Sequence, residues 1–155
     1  MTHPAMRATL HTDGGARGNP GPAGIGVVLR DESGDVIAEI AESIGSTTNN
    51  VAEYTALIKG LELAIEKRVT DIEVFMDSKL VVHQVRGEWK IKNAGLKPLA
   101  IKANHLANRF SSASITYVPR EQNSDADKLA NQAMDAAADL YDGDGPEPGQ
   151  GSLLE

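Results

Sequence analysis

The chain has no cysteine, which excludes disulfides, zinc–thiolate sites and a cysteine nucleophile, although it says little about compartment. It also lacks any apolar run long enough to cross a bilayer, and its first residues, Met-Thr-His-Pro-Ala-Met-Arg, carry no apolar signal core. A soluble, cytoplasmic protein with no membrane partner is the expectation. From Asp139 onward there is no Lys or Arg, only the acidic residues Asp139, Asp142, Asp144, Glu147 and Glu155. The formal charge of −7 is thus largely a property of the tail, with −2 left over residues 1–138. No internal repeat is visible, and tryptophan occurs once, at Trp89.

What is present suits one domain with one core: 155 residues, 41% of them hydrophobic, with no room for a second catalytic domain. Between Ser78 and Lys102 the charge balance reverses, because Lys79, Arg86, Lys90, Lys92, Lys97 and Lys102 face only Glu88. That stretch is either a solvated helix face or the contact for a polyanion.

Residues 7–13 alternate as a strand ending at Asp13, and Gly14 to Pro22 reads as a turn-rich loop. Residues 25–30 and 36–44 read as two more strands joined through Asp31-Glu32-Ser33-Gly34-Asp35, so three antiparallel strands come first. Thr47 or Thr48 caps a helix to about Lys67, with Leu57, Leu61, Ala64 and Ile65 as its buried stripe. Residues 71–77 form a strand that should pair in parallel after the helical crossover. A short helix from Ser78 to about Val85, a helix from about Leu96 to Phe110 and a strand over 114–118 follow. A last helix, capped by Asn123 or Ser124, runs to about Leu140 with Ala126, Leu129, Ala130, Ala133 and Ala137 inward. The expected organisation is a flexible arm (1–6), a catalytic domain (7–140) and a disordered acidic Gly/Pro-rich tail or severed linker (141–155).

Four acidic residues stand at the ends of separate blocks: Asp13, Glu53, Asp77 and Asp127. Each has an ordinary reading, since Asp13 and Asp77 could serve turns or caps and Glu53 and Asp127 could complement helix N-termini. Together, on strand ends and helices that one fold would gather, they make a carboxylate cluster that requires cations. Hard oxygen ligands select Mg²⁺ or Mn²⁺ and leave water sites open for a phosphate. Asp125 competes with Asp127 but points further from the apolar stripe. The four histidines show no metal or triad spacing, and Ser78 has no visible activating base.

The blocks Asp13-Gly-Gly with Arg17-Gly-Asn-Pro-Gly-Pro, Thr48-Asn-Asn-Val-Ala-Glu53-Tyr, Met76-Asp-Ser-Lys79 and Asp127-Lys-Leu-Ala-Asn resemble the type 1 ribonucleases H in order and spacing, over roughly residues 7–138. The resemblance implies a ribonuclease H-like α/β fold, with a mixed five-stranded sheet (three antiparallel strands, then two parallel) flanked by helices. It implies a monomeric endonuclease that cuts the RNA strand of an RNA–DNA hybrid with two Mg²⁺ ions, Mn²⁺ substituting, and leaves 5′-phosphate and 3′-hydroxyl ends. Asp13, Glu53, Asp77 and Asp127 would hold the ions, with Glu53 also sensing the RNA 2′-hydroxyl.

Asn19, Thr48, Asn49 and Asn50 fall where the family's phosphate and minor-groove contacts lie, and Gly14 and Gly15 would let backbone approach the RNA. Lys79 stands where many members have Gln. Trp89 is either a partly buried anchor or a contact for the DNA strand. Where many members carry a loop histidine, Val118-Pro-Arg-Glu-Gln-Asn places Arg120, which cannot shuttle protons and would grip phosphate. In this the chain resembles the His-lacking subgroup of archaea and some bacteria, including actinobacterial forms fused to a phosphatase-like domain. The alternatives are a nuclease of the same superfold acting on double-stranded RNA or RNA–DNA junctions, and a non-catalytic nucleic-acid-binding module.

Overall fold

A computed structural model describes residues 4–142; much of the expected arm and tail, residues 1–3 and 143–155, lies outside the described residues. Three antiparallel strands, β1 (Arg7–Ala16), β2 (Gly21–Asp31) and β3 (Val36–Thr47), open the chain. The helix α1 (Asn49–Glu66) then crosses to β4 (Asp71–Met76), and α2 (Lys79–Val85) and α3 (Lys97–Ala107) lead to β5 (Ser112–Tyr117). A single 3-10 turn at Arg120–Gln122 precedes α4 (Ser124–Asp142). The sheet order is β3-β2-β1-β4-β5, with β4 parallel to both β1 and β5, as the crossover predicts. Among the described residues no helix is long and apolar enough to cross a membrane.

The two sheet faces are covered by different helices. Leu10, Val74 and Met76 point to the face where α1 lays Leu57, Leu61 and Ala64, all fully or almost fully buried. Each large aliphatic buried there contributes roughly 1.5–3 kcal/mol before entropy is counted. Ile65, expected in the same stripe, is only partly buried. On the other face α4 packs Ala126, Ala130, Ala133 and Ala137, small side chains that let the helix lie close to the sheet.

The expected loop over 14–22 is mostly strand. Gly14, Gly15 and Ala16 pair with Ile25, Gly24 and Ala23, and only Arg17–Pro20 turns. Glycine disfavours strands on its own, but it fits where a helix presses on the backbone. Asp13 is therefore an interior residue of β1 and not its end. Thr48, not Thr47, caps α1, its hydroxyl accepting from Val51 N at 3.3 Å. The third helix stops at Ala107, short of the expected Phe110, because Asn108–Phe110 turn the chain into β5.

Candidate active site

Three local devices bring the carboxylates together. The β1–β4 register pairs Thr12 with Met76, so Asp13 and the next residue after β4, Asp77, stand side by side. Residues at equal steps along parallel strands point to the same face. Gly14, the neighbour of Asp13, faces α1 so closely that a Cβ would overlap the carbonyl of Ala52. That approach sets Glu53 at the pocket. Gly26, paired with Asp13 on β2, meets α4, and a Cβ there would overlap the carbonyl of Ala126 and crowd Ala130 N. That approach sets Asp127.

The resulting cleft of about 320 Å³ is lined by Asp13, Gly14, Gly15, Asn49, Glu53, Asp77, Arg120 and Asp127, together with Ala16, Arg17, Asn131 and Met134. Asp13 is the most enclosed, at 8% exposure. Burial first, then the charge of Asp77, then hydrogen bonding with and charge of Asp127, hold its carboxyl well above the ordinary range, favouring its protonated form. Glu53 is raised to about 7, chiefly by burial, while the Ser78 hydroxyl, donating to Oε1 at 3.0 Å, opposes the rise and Asp77 adds to it. Arg120 Nε lies 3.7 Å from Asp77 Oδ2, its own side chain 77% exposed. The arginine therefore stands at the cleft mouth as an exposed cation and not as part of the core.

Among the described residues no three of these side chains already converge as a ready-made metal cage. Asp77 is instead engaged by Arg120, and Glu53 by the Ser78 hydroxyl. The donor set nevertheless fits a hard divalent cation. It is all oxygen, partly buried and crowded with like charge, and a cation would displace the proton on Asp13.

The asparagines are already oriented. Asn49 Oδ1 accepts from Ala16 N at 2.8 Å, and Asn19 Oδ1 accepts from Asn49 N at 3.0 Å. With the amide oxygens so occupied, their NH₂ groups are the ends left to donate. Asn19, Thr48, Asn50, Lys79 and Trp89 do not line the cleft. Lys79 Nζ sits 5.2 Å over the Tyr117 ring, and Trp89 is 46% exposed. Asp125, the rival of Asp127, turns outward to Arg30 at 2.6 Å.

Asn123, a candidate cap of α4 by its sequence, also supports the site. Asn123 is 1% exposed and donates through Nδ2 to Thr12 O at 3.0 Å, with Asp77 Oδ1 at 3.5 Å. It ties the start of α4 to the strand that carries Asp13. A buried Asn just before a helix does carry a signal, but sequence alone cannot tell a cap from a tether. A larger hollow of about 560 Å³ lies at the other end of the sheet, among Arg7, Asp31, Asp71, Glu73 and Ser112. There Asp71 is satisfied by Ser112 and Thr70, and Arg7 by Glu32, so nothing converges on a ligand.

Residues 11–133 match the family described as reverse transcriptase-like. The chain is 50% identical over 134 residues to the bifunctional protein Rv2228c of Mycobacterium tuberculosis, an alignment covering 86% of this chain and 37% of that protein. It thus spans little more than a third of the length of the first curated relatives it matches. It is 45% identical over 131 residues to ribonuclease HI of Halobacterium salinarum, covering 84% of this chain and 66% of that one. Among solved structures, the N-terminal RNase H domain of Rv2228c superposes with a TM-score of 0.86 at 47% identity, over 88% of this chain and 99% of that one. LC11-RNase H1 in complex with RNA/DNA hybrid superposes with a TM-score of 0.78 at 46% identity, over 84% and 99%.

Proposed function

The chain belongs to the type 1 ribonuclease H family, and from that premise we propose that it is an endoribonuclease that hydrolyses the RNA strand of RNA–DNA hybrids, leaving 5′-phosphate and 3′-hydroxyl ends. The observation that carries the reading is the single cleft in which Asp13, Glu53, Asp77 and Asp127 meet. The hybrid bound to LC11-RNase H1 supports the substrate.

In this reading the four carboxylates hold divalent cations, Mg²⁺ or in its place Mn²⁺. When bound, the cations supply an activated water and neutralise charge on the departing 3′ oxygen. The rest falls to the chain itself. Asp13, whose burial beside Asp77 and Asp127 disfavours a bare charge, would bind in its ionised form once a cation offsets that cost. Glu53, fixed by the Ser78 hydroxyl, is placed to accept from a ribose 2′-hydroxyl, the group that separates RNA from DNA. Asn49 and Asn19 donate to phosphate and sugar oxygens through NH₂ groups whose partner oxygens the backbone already holds. Arg120 grips a phosphate at the cleft mouth and does not carry protons. Gly14 serves the packing of α1, and Gly15, in the cleft lining, lets backbone approach the RNA. Thr48, Asn50 and Lys79 serve the flanks of the same groove.

The test is cleavage of labelled RNA–DNA hybrid, double-stranded RNA and double-stranded DNA, each with Mg²⁺, Mn²⁺ or EDTA, with the cuts mapped. Metal-dependent internal cuts confined to hybrid RNA are expected. Preferential cutting of double-stranded RNA would replace the substrate, and no cutting under either metal would leave a binding module.

A further inference from the structure

The basic stretch after α2 is built around one histidine. The backbone carbonyl of His83 accepts from Glu88 N at 2.9 Å and from Trp89 N at 3.2 Å. This tight turn passes through Gly87 at φ 78°, where a side chain would be strained. The imidazole of the same residue stacks on the indole of Trp89, with ring centroids 4.4 Å apart and planes 26° from parallel. Its Nδ1 lies 2.6 Å from Glu88 Oε1, and since a carboxylate only accepts, Nδ1 is the donor. Glu88 Oε2 accepts from Arg86 Nε at 3.0 Å, and Arg86 also donates to Ile115 O of β5 at 3.1 Å. On the other side Gln84, held by the Tyr54 hydroxyl at 2.8 Å, donates to Lys90 O at 3.4 Å.

The outcome is a large aromatic side chain that stays 46% exposed yet is fixed through its own backbone and a stacked ring. Core packing does not account for an indole so exposed. Lys90 and Lys92, both exposed, follow it directly. A rigid aromatic surface beside cations is the chemistry that receives a polynucleotide strand, the ring taking sugar or base and the lysines taking phosphate. Trp89 does not line the carboxylate cleft, and the resemblance to the type 1 ribonucleases H implies the DNA strand of the hybrid as its partner.

We propose that His83 is a positioning residue for hybrid binding: stacked on Trp89 and tethered to Glu88, it holds the indole in place to pack against the DNA strand. This rests on the hybrid-nuclease reading above. Freed from its stack, the indole would sample several rotamers and lose order on each binding event, so affinity falls while the chemical step, made elsewhere, is untouched.

The experiment uses the full chain with Mg²⁺ and a labelled hybrid, in wild type, His83→Ala, His83→Phe, Trp89→Ala and His83→Ala/Trp89→Ala, each first checked for unchanged thermal unfolding. His83→Ala is expected to raise KM about 3- to 10-fold with kcat within about twofold, and His83→Phe, which keeps the stack, to restore most of it. In the Trp89→Ala background His83→Ala should do nothing more, since its action runs through the indole. Because Trp89 is the only tryptophan, its fluorescence anisotropy reports the clamp directly and should fall in His83→Ala and hold in His83→Phe. Unchanged KM in His83→Ala, or an equal loss in both backgrounds, would overturn the proposal while the nuclease reading stands. If wild type cuts no hybrid under either metal, the nuclease reading falls and takes the proposal with it.

Discussion

Ser78 donates its hydroxyl to Glu53 Oε1 at 3.0 Å while its own Oγ accepts from Val81 N at 3.2 Å. One side chain thus caps α2 and holds a carboxylate on α1. Ser78→Ala is expected to cost about 1 kcal/mol through the lost cap. It should also raise the Glu53 pKa beyond about 7, because the hydroxyl is the one group opposing burial there. Carboxyl NMR titration of metal-free protein would read the shift; an unmoved or lowered Glu53 would contradict it.

Asp13→Asn is expected to abolish hybrid cleavage and leave the fold intact or more stable in chelator, since it removes a carboxyl that burial and Asp77 disfavour as a charge. Thermal unfolding alongside the cleavage assay decides it. Full activity in this variant would remove Asp13 from the metal site.

Without metal, stability should fall as pH rises. Asp13 and Glu53 both have folded pKa values above their unfolded ones, so each stabilises fully below the ordinary carboxylate pKa of about 4. For Glu53 that contribution is lost as pH climbs through about 7, and for Asp13 it is lost later still. Melting in EDTA from pH 5 to 9 should show a declining Tm. Mg²⁺ should reverse the decline and Asp13→Asn should flatten it, whereas a Tm rising over that range would contradict the raised carboxyl pKa values.

Gly26→Ala is expected to destabilise by roughly 1–3 kcal/mol, because the new methyl meets the backbone of α4 at Ala126 and Ala130. As α4 moves out it takes Asp127 with it, so cleavage should fall even where the protein remains folded. Denaturant unfolding and single-turnover cleavage, measured together, separate the two effects.

Asn123→Ala should cost about 1–3 kcal/mol, since it leaves the buried Thr12 carbonyl without the Nδ2 donor. Cleavage should fall in parallel because Asp77 loses the amide beside it. A variant of wild-type stability would show that water replaces the tether.

Much was legible in order along the chain. The alternation of residues 7–13, the apolar run before Asp77 and the Leu57–Leu61–Ala64 stripe each announce an element through local pattern, and all three elements are present. The Gly14–Ala16 segment was not legible as strand, since glycine reads as a turn wherever the neighbour that needs its space is unknown. Asn123 was not legible as a tether for the same reason: Thr12 lies 111 residues away.

The sequence by itself determined which residues carry charge and donors, the order of strands and helices, and the motif spacing that marks the family, because these depend on composition and on contacts a few residues apart. Only the tertiary structure decided that Asp13 rather than its partners is the enclosed carboxylate, that Glu53 answers to Ser78, and that Trp89 stacks on His83. Burial, and with it the local dielectric and the choice of hydrogen-bond partner, is set by packing between elements distant in the chain, which no local pattern records.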